Sequence, residues 1–145
     1  MDKKTAITVP ADVSELDRVN EFIHAELDRR LCPAREQNQL GIAIEELFVN
    51  SCKYAYEGMP ADVERTVRVT QAISADPPSV TVEIIDSGVP YDPLAKPDAV
   101  TADEYASVVD IPIGGLGILM AKNSVDDMRY ERVDGTNVVT LVKRW

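Results

Sequence analysis

Glu46 and Asn50 lie four residues apart in the stretch GIAIEELFVNSCKYAY, residues 41–56. On a helix that spacing sets a carboxylate and an amide on one face, where both can address one edge of a ligand. An amide oxygen suits Mg²⁺, which keeps most of its water and takes few protein ligands beside substrate phosphates, while a carboxylate can orient or deprotonate a nucleophile. Lys53 and Tyr54 continue the same line. The plainer alternative is a solvated helix edge on which Lys53 and Glu57 form an ordinary i,i+4 pair. Asp86 closes TVEIID and is followed by Ser87 and Gly88. A buried carboxylate at a strand end needs hydrogen-bond donors, and the exocyclic amine of a purine is one; Gly88 would let such a base approach the backbone. A simple Asp-Ser-Gly turn is the alternative. Further on, GGLGILMAKNS brings Gly114, Gly115, Leu116 and Gly117 to the start of a helix, where unpaired N–H groups and the helix dipole favour a phosphate. Chain turning alone also favours glycine there. The lysine and hydroxyl of a P-loop are missing and a loop precedes the glycines, so neither the P-loop nor the dinucleotide fingerprint fits.

These residues need a frame. A strand-like start at Thr5 to Val9 leads into PADVSELDRVNEFIHAELDRRL, whose Leu16, Val19, Ile23, Leu27 and Leu31 form a helical stripe with Asp12 or Ser14 available as cap. Pro33 ends that helix. A second runs from about Glu36 to Glu57 and is closed by Gly58 and Pro60, the expected order of stop signals. Two half-buried strands follow: Val63, Val67, Val69 and Ile73 alternate with polar residues, then Val80, Val82 and Ile84 do the same. Residues 86 to 113 carry four prolines and no period, which predicts a long loop of the kind that serves as a lid. The glycine-rich helix comes next, and Asp134-Gly135 between alternating segments marks a closing hairpin. The order β, α, α, β, β, lid, α, β, β places helices on one face of a mainly antiparallel sheet.

A chain of 145 residues with 45% hydrophobic content fits one domain with one core. Fifteen Lys and Arg stand against 25 Asp and Glu, a formal charge of −10, which argues against nucleic acid or an anionic membrane as partner. Cys32 and Cys52, the two cysteines, both fall in predicted helices and indicate reduced thiols. No stretch approaches the roughly 20 apolar residues of a membrane span, and the N-terminus lacks a secretion signal, so a cytoplasmic location is expected. The lone His24 has no Cys or His at ligand spacing and is assigned no metal.

In their order these motifs resemble the GHKL nucleotide-binding superfamily: E-x-x-x-N on a helix, D-x-G after a strand, a lid, G-G-L-G-I opening a helix, and G-T before the last strand. Within it the chain is similar, from about Val9 to Trp145, to the RsbW/SpoIIAB-type anti-sigma factor serine/threonine kinases; EELFVNSCKYAY, DSGVPYDPLAKPD and GGLGILMAKNSVDDMRYERVDGTN carry the likeness. The resemblance implies an α/β Bergerat sandwich spanning residues 1–145, with the lid at about 92–113. It makes Glu46 the general base and Asn50 the Mg²⁺ ligand, and it sets Lys53 near the ATP phosphates. Asp86 and Gly88 would hold the adenine, with Thr136 behind it through its hydroxyl, while Gly114, Gly115, Leu116 and Gly117 would serve the phosphates. It also implies a homodimer that binds a sigma factor and phosphorylates a STAS-type anti-anti-sigma protein. One departure stands out: no Lys or Arg occurs between Lys96 and Lys122, whereas phosphoryl transfer draws on positive charge. An ATP-responsive binding module with little or no transfer is therefore the alternative.

Overall fold

The computed structural model describes residues 3–94 and 113–145, with side chains described from 117 onward in the second stretch. The expected lid falls almost wholly outside the described residues. Strand β1 (Lys4–Pro10) is followed by a short 3₁₀ turn (Val13–Glu15), where Asp12 Oδ1 accepts from the Ser14 amide at 2.9 Å. Helix α1 (Leu16–Arg29) and helix α2 (Ala34–Asn50) come next, the latter running directly into a π-helical turn (Ser51–Ala55). Strands β2 (Thr66–Ala75) and β3 (Pro78–Asp86), helix α3 (Ile113–Ser124), and strands β4 (Asp127–Val133) and β5 (Thr136–Arg144) complete the described elements.

The strands form one sheet in the order β1-β2-β3-β5-β4, and all four pairings among the described residues are antiparallel. The hairpin at Asp134-Gly135 forms as its sequence predicts: φ is 47° and 80° at the two residues, the positive pair that matches the twist of a two-residue hairpin. Val67, Val69, Val80, Val82, Ile84 and Leu141 cover one face of the sheet and meet α1 and α2 there. Val19, Ile23 and Leu27 of α1 and Leu40, Ile44, Leu47 and Phe48 of α2 supply the other half of the core.

Two expectations need correction at the end of α1. Leu31 lies past the helix with φ 60° and is 85% exposed, so it takes no part in the apolar stripe. Cys32 sits in the connection to α2, not in a helix, and is buried. The backbone reverses there because Pro33 has extended backbone at the start of α2, and proline disfavours helical backbone at the residue before it. The helix predicted as continuous to Glu57 also changes form after Asn50.

Phe48 is fully buried beneath the sheet. Phe48→Ala should lower the unfolding free energy by about 3–5 kcal/mol, measured by denaturant titration; a loss below about 1 kcal/mol would show that this helix does not anchor the core.

Candidate functional site

The site begins where α2 ceases to be α-helical. Isolated π turns recur at functional sites. Here the turn sets the Ser51 hydroxyl 3.0 Å from Asp86 Oδ2 and the Ala55 carbonyl 2.7 Å from the amide of Val89, in the loop after β3. Gly88 lies so close to that carbonyl that a Cβ at residue 88 would overlap it. The expectation that Gly88 makes room for a base thus meets a different neighbour, the backbone of Ala55.

Asp86 is buried at the end of β3 and directly faces Asn137 in the β3–β5 register. Its Oδ1 accepts from the Gly88 amide at 3.0 Å and from Asn137 Nδ2 at 2.8 Å, and its Oδ2 accepts from Ser51. A carboxylate offers about four acceptor positions, so one at Oδ2 stays open for a further donor. Asn137 is itself saturated. Its Oδ1 accepts from the Tyr91 amide (3.2 Å), the Tyr130 hydroxyl (2.6 Å) and Arg132 Nη1 (3.1 Å), while Nδ2 also donates to the Val89 carbonyl at 2.8 Å. Arg132 donates in addition to the Gly88 carbonyl at 2.8 Å.

Sequence reasoning placed this inner position at Thr136. The alternation of β5 puts Asn137 with Val139 and Leu141 on the buried face and Thr136 on the other, and the Thr136 hydroxyl donates to Val133 at 2.6 Å across the hairpin. Counting the two-residue period back from Leu141 would have found Asn137. Asn50, Ser51, Asp86, Tyr91, Asn137 and Val139 are among the residues lining a cavity of about 10 Å³. Tyr91 and Pro93, on the loop after β3, complete its walls. Tyr91 also stacks at a tilt on Tyr54, with ring centroids 5.8 Å apart.

Asn50 connects this pocket to Glu46. It is buried, lines the cavity beside Asp86, and lies one helical turn beyond Glu46, near enough for its amide to oppose the rise in the Glu46 pKa. An ionised carboxylate only accepts, so Asn50 must offer its NH₂, which leaves the amide oxygen as an acceptor for a cation. Loss of water raises the Glu46 pKa above the usual carboxylate value; the Asn50 amide and the charge of exposed Lys53 oppose the rise, and Glu45 adds to it. On its other side Glu46 meets Gly117 so closely that a Cβ at residue 117 would overlap the carboxylate. Gly114, Gly115 and Leu116 fall in the first turn of α3, and the side-chain position of Leu116 lies outside the described residues. The structure therefore sets Asn50 and Asp86 on one cavity and Glu46 and Gly117 on a neighbouring cleft, with successive turns of α2 carrying Asn50 and Glu46, and it leaves Thr136 out of both. Among the described residues no group of three or more His, Cys, Asp or Glu could hold a metal. One amide oxygen beside a carboxylate fits a Mg²⁺ carried largely by phosphates and water, not one caged by protein.

A family model described as a histidine kinase-like ATPase domain matches residues 9–143. The serine/threonine-protein kinase BtrW of Bordetella bronchiseptica is 29% identical over 109 residues, which cover 74% of this chain and 70% of that protein. Among solved structures, the RsbU and RsbW domains of Rv1364c from Mycobacterium tuberculosis match with a TM-score of 0.67 at 20% identity, over 98% of this chain and 32% of that one. A blue-light activated histidine kinase of Erythrobacter litoralis matches through its histidine kinase domain at 0.54 and 11%, over 93% of this chain and 61% of that one. The chain thus spans about a third of the first structure's chain, and these structural likenesses bear on the fold.

Two outcomes follow from the geometry. Asn137→Asp places a second carboxylate against Asp86 and should cost about 3 kcal/mol at neutral pH, most of it recovered in acid as the pair takes up a proton; equal losses at both pH values in denaturant titrations would contradict this. Glu46 holds its proton more tightly when folded, so its contribution to stability is present in acid and lost as pH rises through its raised pKa. Glu46→Gln should therefore stabilise the protein at neutral pH, with the gain vanishing below the ordinary carboxylate range; thermal melts across pH check the sign.

Proposed function

As the chain belongs to the histidine kinase-like ATPase domain family, we propose that it is a Mg·ATP-dependent protein serine/threonine kinase acting as an anti-sigma, partner-switching regulator. Its substrate in this reading is a STAS-type anti-anti-sigma protein, and the working unit is a homodimer of single domains, each with a lid at about residues 92–113. The observation that carries the reading is Asn50, which lines one pocket with Asp86 and lies one turn along α2 from Glu46, whose pKa its amide helps to lower. A base-recognising carboxylate and a raised-pKa carboxylate are thereby both held close to Asn50. The kinase relative BtrW supports the choice of serine or threonine.

Each residue has a separate task. The open acceptor position of Asp86 Oδ2 takes the adenine amino group, with Asn137 holding that carboxylate in place. The Asn50 oxygen would hold Mg²⁺ beside the phosphates. Gly117 brings the backbone of α3 against Glu46, and the first turn of α3 offers its amide groups to phosphate. When bound, ATP supplies the phosphoryl group and Mg²⁺ neutralises charge on its phosphates. Glu46 takes the proton from the acceptor hydroxyl as that oxygen bonds to the terminal phosphorus, and ADP leaves with the electrons of the broken P–O bond. A raised pKa makes Glu46 the better proton acceptor.

The absence of Lys or Arg between Lys96 and Lys122 favours a second reading, an ATP-responsive module that changes partner affinity without useful transfer. Mg·ATP at 100 times its Kd should stabilise the protein by about 2.7 kcal/mol in either case. Labelled phosphate from ATP should appear on a STAS partner only for the kinase, and Glu46→Gln should abolish that transfer while nucleotide affinity persists. Full transfer by Glu46→Gln would remove Glu46 from the base role, and binding without any phosphorylated product would leave the module.

A further inference from the structure

Glu46 has a second open flank. One helical turn from it, in the direction opposite to Asn50, Ile42 stands on α2, and Met120 stands on α3; they are 42% and 50% exposed. Together with Glu45, Glu46, Val49 and Gly117 they line a cleft of about 350 Å³ between the two helices. Large apolar side chains gathered in one concave place and left in water mark an interaction site more often than scattered ones do. The cleft meets the candidate nucleotide site at Glu46 and Gly117; none of its six lining residues is cationic and two are carboxylates, so away from that junction it offers nothing to a further anion.

We propose that this cleft receives the acceptor-bearing segment of the protein substrate, with residues beside the acceptor hydroxyl seated on Ile42, Val49 and Met120 and the hydroxyl meeting Glu46. The proposal rests on the phosphotransfer reading above. A general base must come within hydrogen-bond reach of the proton it removes, and Gly117 and the Asn50 amide already take two sides of the carboxylate. Among the described residues the cleft gives Glu46 an open flank. Charge selects the occupant further. Glu45 lies exposed beside Glu46, so the segment is apolar with a neutral or basic flank, and an acidic flank is rejected. A second copy of the chain is disfavoured on the same ground, because a two-fold contact here would bring four carboxylates together between chains of charge −10 each.

The test uses the full chain and a STAS-domain protein that it phosphorylates. Ile42→Gln with Met120→Gln keeps good helix formers at exposed positions. This double variant should raise the KM for the protein acceptor roughly tenfold or more, as loss of apolar anchors does, with Mg·ATP affinity unchanged. Calorimetric affinity for the acceptor with its serine replaced by alanine should fall by a similar factor, a readout independent of turnover. Glu45→Lys should shift preference towards acceptors with an acidic residue beside the serine. Normal transfer with unchanged acceptor KM and affinity in the double variant would overturn the docking assignment and leave the kinase reading intact. Unchanged acceptor affinity with a loss of self-association in sedimentation would assign the cleft to a second copy instead. A parent chain that neither binds Mg·ATP nor phosphorylates any STAS protein would fail before the variants are compared, and would remove both readings.

Discussion

The contact on which the site depends is the hydrogen bond between Asn137 and Asp86, 2.8 Å long and buried between two central strands. A carboxylate at that depth is costly without donors, and Asn137 supplies one while the amide of Gly88 and the hydroxyl of Ser51 supply the others. Asn137 can do so because it directly faces Asp86 in the β3–β5 register. A slip of one residue would turn Asn137 to the opposite face of the sheet. The same amide ties Tyr91, Tyr130 and Arg132 to the pocket, so strand pairing, loop position and ligand-facing charge are set by one side chain.

The other constraint is close backbone approach. Gly88 against Ala55 and Gly117 against Glu46 are positions where a methyl group has no room. The first locks the loop after β3 to the π turn, and the second brings α3 onto the face of α2 that carries Glu46. The π turn joins these effects, because it lets one continuous helix offer Glu46 and Asn50 from its α-helical part and Ser51 and Ala55 from its widened part. Glycine therefore serves here through tight packing between elements, at least as much as through room for a ligand.

Most of the fold was legible because its signals are periodic. The α1 stripe from Leu16 to Leu27, the alternation of β2 from Val67 on and of β3, and the Asp134-Gly135 turn each state one local preference that the tertiary structure does not override, whereas Leu31 and Val63 fall outside the elements their patterns suggested. What escaped was aperiodic or depended on contacts distant in sequence. Nothing in SCKYA distinguishes a π turn from a continuing α-helix, since the widening is stabilised by Asp86 and Val89, more than thirty residues away. The family resemblance alone names Thr136; the alternation of β5 turns Asn137, not Thr136, towards Asp86. Glu46, Asn50 and Asp86 stand out in the sequence as chemical types at suitable spacing. That Asn50 shares a cavity with Asp86 is a tertiary fact, as is the apolar cleft formed by Ile42 on one helix and Met120 on another.

The most direct measurement is a crystal structure of the chain with Mg²⁺ and a non-hydrolysable ATP analogue. The account predicts the adenine amino group within about 3 Å of Asp86 Oδ2, Tyr91 displaced from the pocket, and the metal on the Asn50 oxygen with the terminal phosphate towards Glu46. A nucleotide bound elsewhere, or one whose base makes no contact with the Asp86 and Asn137 pair, would contradict it.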